Sequence, residues 1–80
     1  MEGMSRMKMC ELACDLHDFG WKSWERKALI TDVGLTADEA KELSVLLSRI
    51  ERRGKRCAVI EHAGVEAWYE LYESGAVVEG

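Results

Sequence analysis

Cysteine and histidine side chains recur near the start of the chain at a spacing that could hold a metal ion. Cys10, Cys14 and His17 fall at positions i, i+4 and i+7, so a helix would place all three on one side. Cys57 or His62 could add a fourth ligand and complete a closed structural zinc site. Such sites usually take ligands from tight paired turns, which this sequence lacks, and free cysteine often serves as a small buried apolar side chain. We therefore predict no metal and no cofactor.

The motifs of common enzyme classes are missing from the sequence. It contains no glycine-rich phosphate loop, no nucleophile elbow and no H-E-x-x-H metal-binding helix. Cys57 and His62 could form a nucleophile and its base, but on a predicted strand five residues of separation places them on opposite faces. We therefore predict a protein that is not an enzyme.

The charged residues are segregated along the chain. Residues 49–56 hold five cations and one carboxylate, Glu51. The cations could contact phosphates, or they could be the positive charges that the end of a helix dipole favours. Residues 61–80 hold five glutamates and no lysine or arginine. This acidic third could meet a basic protein partner or imitate nucleic acid, or it could be a solvated face.

Length and composition indicate one small domain covering residues 1–80, with residues 1–4 predicted to be flexible. The chain has 15 acidic and 11 basic residues, a net charge of −4, and 48% hydrophobic residues, which argues against disorder. Its apolar runs are far shorter than the about 20 residues that a membrane helix needs. Without a secretory signal pattern and with an odd number of cysteines, we expect a cytoplasmic protein with reduced thiols.

Three helices are predicted in the first two thirds of the chain. The first covers Ser5 to Asp18 and is closed by Gly20, and the second begins at Ser23 and stops near Gly34. The third begins with a capping box, Thr36-Ala37-Asp38-Glu39, and ends at Gly54. Its apolar stripe predicts a core side, and the core is expected to contain these residues: Trp21, Trp24, Leu43, Leu47 and Ile50.

The final third fits two periods. Residues 65–72 alternate as a strand would, yet Val65, Trp68, Tyr69 and Tyr72 also share one helical face opposite the glutamates. The aromatic content favours a sheet, and residues 62–64 resemble a three-residue hairpin loop with glycine in the left-handed position. We therefore predict strands over 56–61 and from 65 onward, and an α+β fold with a three-helix core and a C-terminal β-hairpin.

This order of elements resembles a winged helix-turn-helix domain. The segment 28–36 looks like the second helix, its glycine turn and the cap of the third, 47–54 is similar to the end of a recognition helix, and 67–71 looks like the returning strand of a wing. The resemblance implies a small DNA-associated transcriptional regulator. Two sets of residues would then contact nucleic acid: Lys41, Ser48, Arg49 and Arg52 along its length, and Arg53, Lys55 and Arg56 at phosphates. The acids Asp38 and Glu39 at the helix start oppose reading of base edges there.

A second hypothesis is a small acidic inhibitor or adaptor, of the kind found in mobile elements and phages, that binds a basic protein or mimics nucleic acid. Its contact residues would be Glu66, Trp68, Glu70 and Tyr72. A homodimer is also open, because Val45 on the outer face of the third helix could seed a two-fold contact.

Overall fold

The computed structural model describes residues 4–77, and these residues form helices joined by short connections. The elements are α1 (Arg6–Asp18), α2 (Arg26–Ala28) continued by a π-helical turn (Leu29–Val33), α3 (Ala37–Arg53), α4 (Lys55–Ala63) and α5 (Val65–Ser74). No strand is present within the described residues, so the predicted α+β fold with a C-terminal hairpin is wrong. Of the segment predicted to be flexible, residues 1–3 lie outside the described residues, and Met4 packs partly against the core.

The ends of α1 and α3 confirm what the capping residues predict. The Ser5 hydroxyl accepts a hydrogen bond from the Lys8 backbone N–H at 3.1 Å and so caps α1. Thr36 and Glu39 form the predicted capping box. The Thr36 N–H donates to the Glu39 carboxylate at 3.0 Å, and the Glu39 N–H donates to the Thr36 hydroxyl at 3.1 Å. Both predicted helix-closing glycines are also correct, since Gly20 follows the end of α1 and Gly54 the end of α3.

The final third contains two helices where a hairpin was expected. Residues 56–61 lie in α4 and residues 65–73 in α5. The helix is favoured over the strand because it buries Trp68 and Leu71 and leaves Glu66 and Glu70 in water. Each helix also pairs its own backbone groups, whereas an isolated two-stranded hairpin is marginally stable in water. The preference of aromatic residues for sheets depends on context, and here packing overrides it.

Single glycines form the corners between the last three helices. Gly54 has φ 93° and ψ 164°, and Gly64 has φ 98° and ψ 161°. This backbone region is essentially restricted to glycine because a Cβ atom would clash with the main chain. The predicted left-handed loop position at Gly64 is therefore also wrong, since its ψ is extended. One residue thus reverses the chain at each corner and lets α4 pack against α3, and α5 against α4.

The core lies between α1, α3 and α4, and α5 covers it from the side of α4. The apolar stripe of α3 is buried as predicted, and α1 faces both α3 and α4. Trp24 is the exception: it was expected in the core but is 75% exposed, whereas Trp68 is only 3% exposed. Trp21 is half-buried against the core. Within residues 4–77, none of the helices has the length and apolar composition needed to cross a bilayer.

The second predicted helix is shorter than expected and begins later. α2 begins at Arg26 with Glu25 as its cap, and the π-helical turn carries the chain to Gly34, which is left-handed with φ 88° and ψ 26°. Ser23 does not cap a helix. Its backbone N–H and hydroxyl instead donate to the Glu51 carboxylate on α3 at 2.9 and 3.1 Å, which fixes the connector between α1 and α2 on that helix.

The same substitution, glycine to asparagine, made at three different glycines tests the geometry of the two corners. Gly54→Asn and Gly64→Asn are each expected to lower the free energy of unfolding by about 2 kcal/mol, because asparagine does not reach this backbone region. Gly34→Asn is expected to cost less than about 1 kcal/mol, because asparagine tolerates the left-handed conformation. Urea denaturation measures all three. The substitution affects the unfolded chain alike at each site, so equal losses would contradict the assigned corner geometry.

The two tryptophans distinguish the observed core from the predicted one. Trp68→Ala is expected to lower the free energy of unfolding by about 3–5 kcal/mol, because it opens a cavity in the core. Trp24→Ala is expected to change it by no more than about 0.5 kcal/mol, because the indole is largely in water. Chemical denaturation followed by circular dichroism compares the two variants. A larger loss of stability in Trp24→Ala than in Trp68→Ala would contradict the observed core and support the predicted one.

Candidate functional site

The buried thiols of α1 are suited to packing and not to chemistry at neutral pH. Cys10 and Cys14 are fully buried, and burial raises the pKa of their thiols from 9.0 to about 11 and about 12. Both thiols are therefore protonated at pH 7 and are poor nucleophiles and metal ligands. His17 is half-buried, and its Nδ1 atom has no hydrogen-bond partner among the described residues. Residues 4–77 contain no group of three or more His, Cys, Asp or Glu side chains placed to hold a metal ion.

Thiol reactivity tests this burial. In a thiol-disulfide exchange assay with a chromogenic aromatic disulfide at pH 8, we expect one thiol, Cys57, to react quickly, because only this cysteine is exposed. Cys10 and Cys14 should react only after urea is added, because the reactive species is the accessible thiolate. The Cys57→Ser variant serves as the control and should lose the fast phase. A fast phase that survives in this variant would show that α1 is open to solvent.

The predicted basic cluster does not act as one patch, because several of its members are paired inside the chain. Glu61 on α4 forms ion pairs with Arg49, at 3.7 Å, and with Arg53. Lys55 pairs with Asp18 at the end of α1, with 2.5 Å between Nζ and Oδ1. These exposed pairs contribute little to stability, about 0–1 kcal/mol each, but they partly neutralise the cations that were expected to meet phosphates. Arg56 is exposed on α4.

Among the described residues, Arg6 on α1 makes no ion pair but donates to the His62 carbonyl at 3.4 Å. Five further cations have no ion-pair partner there, and they lie on two adjacent elements. They are Lys22, Arg26 and Lys27 in the segment between α1 and the π-helical turn, and Lys41 and Arg52 on the outer face of α3. All five side chains are exposed. α2 packs against α3, so the two groups of cations lie on neighbouring elements. We call these five residues, with Trp24 and Ser48, the cationic face.

Hydrogen bonds to α3 place Trp24 at the border of its outer face. Ser44 donates to the Ser23 carbonyl at 2.5 Å, and Glu51 accepts from the Ser23 N–H and hydroxyl. Ser44, Ser48 and Glu51 form one stripe of α3 at i, i+4 and i+7. Ser48 also belongs to the neighbouring outer stripe that holds Lys41 and Arg52. Trp24, with its exposed indole, therefore follows a residue that is bonded to the stripe of α3 next to the predicted nucleic-acid residues.

Two carboxylates bound to the connector that carries Trp24 are engaged in hydrogen bonds. Glu25 accepts from the Lys22 backbone N–H at 2.6 Å, and Glu51 is held by Ser23. Their negative charges are directed at backbone and hydroxyl donors, which leaves the lysine and arginine head groups of the cationic face in water. A surface of this kind, with free cations around an exposed aromatic ring, is suited to anionic ligands that also carry flat rings.

A second surface runs along α5 and has the opposite charge. Val65, Tyr69 and Tyr72 are 46%, 51% and 45% exposed and recur at i, i+4 and i+7. Three glutamates form the adjacent stripe of the helix: Glu66, Glu70 and Glu73. We call these six residues the acidic aromatic face.

The acidic aromatic face contains three of the four residues predicted to contact a protein partner. Glu66, Glu70 and Tyr72 are exposed together, but Trp68, one helical turn before Tyr72, is buried and does not belong to this exposed surface. Tyr69 takes its place. The helical period of residues 65–72 puts both aromatic residues on one face, and only the packing of Trp68 against the core determines which of them is exposed. No comparable signal identifies Trp24, because its exposure depends on contacts between the connector and α3.

Comparison of the chain with models of known protein families, with curated proteins and with solved structures gives no match. The resemblance to winged helix-turn-helix domains therefore stays a prediction. Its proposed wing strand, residues 67–71, lies in α5.

Proposed function

We propose that this chain is a non-enzymatic binding module that takes single-stranded nucleic acid on its cationic face. One observation carries the proposal: five exposed cations that lack an ion-pair partner among the described residues lie on α3 and on the neighbouring segment that carries the exposed Trp24. Proteins that bind single strands without sequence preference combine a cationic track for the backbone with aromatic rings on which bases stack. The cationic face supplies both parts.

The dimensions of α3 are suitable for a short strand. Lys41 and Arg52 are eleven residues apart on one stripe, which corresponds to about 16 Å along the helix axis. At a spacing of roughly 3.4 Å per stacked nucleotide, this distance covers about five nucleotides. Phosphates would then lie along Lys41, Ser48 and Arg52, and one base would stack on Trp24 at the edge of the track.

A single strand suits this surface better than a duplex. Base faces are hidden inside a duplex, so the indole of Trp24 would gain little from stacking there. The start of α3, where a recognition helix contacts base edges in the major groove, carries Asp38, which is exposed, and Glu39. Their carboxylates would meet phosphates and weaken such docking. The role in transcription that was inferred from the winged-helix resemblance stays a prediction and is not needed for this proposal.

Binding of a fluorescently labelled twelve-nucleotide oligothymidine, followed by anisotropy at low salt, tests the proposal. Trp24→Ala is expected to weaken binding by about 5- to 150-fold, because stacking on an aromatic ring contributes about 1–3 kcal/mol per base. With about four phosphates neutralised, the logarithm of the binding constant should fall with the logarithm of salt concentration with a slope of about −3. Arg52→Ala should make this slope shallower by about 0.7.

Lys8→Ala is the matched control, because Lys8 is an exposed cation on α1 that lies away from the cationic face. It should leave the affinity unchanged. The proposal fails if the oligothymidine does not bind at low salt, if Trp24→Ala binds as well as the native chain, or if a duplex of the same length binds more tightly than the single strand.

A further inference from the structure

The acidic aromatic face of α5 is a second surface that the proposed function does not use. Its apolar stripe, Val65, Tyr69 and Tyr72, is about half exposed, while the neighbouring Trp68 and Leu71 are buried and hold α5 in the core. α5 packs on α4, whereas the cationic face lies on α3 and the connector. The two surfaces are therefore formed by different elements, and each can be altered separately.

The pattern of side chains on this face indicates the shape of its ligand. Two helices that pack side by side contact each other through apolar side chains at positions i, i+4 and i+7 of one stripe. The ten residues of α5 extend about 15 Å, which matches about three turns of a partner helix. Tyrosine is enriched at protein interfaces because it supplies a large contact area with few rotatable bonds.

Charge determines which helix can dock. Glu66, Glu70 and Glu73 lie along one edge of the apolar stripe, and the sequence after Arg56 contains no lysine or arginine. A second copy of α5 would bring two rows of glutamates together, and nucleic acid or an anionic membrane would be repelled. Lysine or arginine beside an apolar stripe would complement these glutamates.

We propose that α5 docks an amphipathic helix of a partner protein, with an aliphatic stripe that packs on Val65, Tyr69 and Tyr72 and a basic edge that meets Glu66, Glu70 and Glu73. The apolar contacts supply most of the affinity, because fully desolvated aromatic anchors dominate interfaces. The glutamates select the partner by sign of charge and speed its approach.

A designed peptide tests this proposal without knowledge of the natural partner. The probe is a 14-residue capped helix of leucine and lysine with leucine on one stripe, and its matched control carries glutamate in place of every lysine. Binding is measured by calorimetry, and the site is located from changes in backbone amide NMR shifts. We expect the lysine peptide to bind, the glutamate peptide not to bind, and the largest shift changes to fall within Val65–Ser74.

Variants separate docking on this face from attraction to overall negative charge. Glu70→Lys alone should weaken binding by at least about fivefold, and Glu66→Lys with Glu70→Lys should abolish it. Tyr69→Ala with Tyr72→Ala should weaken binding by at least about tenfold. Asp15→Lys makes the same charge change as Glu70→Lys at an exposed site on α1 and should alter the affinity by less than about threefold. The tyrosines are about half exposed, so their removal should leave the helical circular dichroism unchanged. Equal losses from Asp15→Lys and Glu70→Lys, or full binding by the double tyrosine variant, would overturn the proposal.

Discussion

Two corners of a single glycine each, at Gly54 and Gly64, determine how the second half of the chain folds. Both residues combine a φ above 90° with an extended ψ, a conformation that only glycine adopts at low cost. Because each corner is one residue long, α4 must lie against α3, and α5 against α4. The core side of α5 is then set by Trp68 and Leu71, and the tyrosines and glutamates of this helix are left on the outer surface.

This packing also separates the charges. Placing α4 beside α3 brings Glu61 to Arg49 and Arg53, and placing it beside α1 brings Lys55 to Asp18, so much of the basic cluster is paired inside the chain. Five cations that form no ion pair within the described residues lie on the connector, α2 and the outer face of α3, and the glutamates of α5 lie on a different element. A chain with a net charge of −4 can in this way present one cationic surface and one acidic surface. With both proposed ligands bound, it would act as an adaptor between a nucleic acid and a protein.

Residues near each other in the sequence were enough to predict the helices whose ends and core side depend on local interactions. The Thr36 capping box, the apolar stripe of α3 and the closing glycines were sufficient to locate α1 and α3. Residues 65–72 fit a strand and a helix equally well, and only packing of Trp68 against the core decides between them. Gly54 and Gly64 indicate where helices end, but the sequence around them does not specify a one-residue corner between two helices. The exposure of Trp24 results from bonds between Ser23 and residues 21 and 28 positions away on α3, which no local pattern encodes.

The helical state of residues 55–74 is the claim from which the positions of both surfaces follow. Backbone NMR assignment of the native protein tests it most directly, through the deviations of the Cα shifts from random-coil values. We expect positive deviations over Lys55–Ala63 and over Val65–Ser74, interrupted at Gly64, with strong contacts between sequential amide protons. Negative deviations over residues 56–61 and 65–72, together with cross-strand contacts between these segments, would show a hairpin and contradict the account.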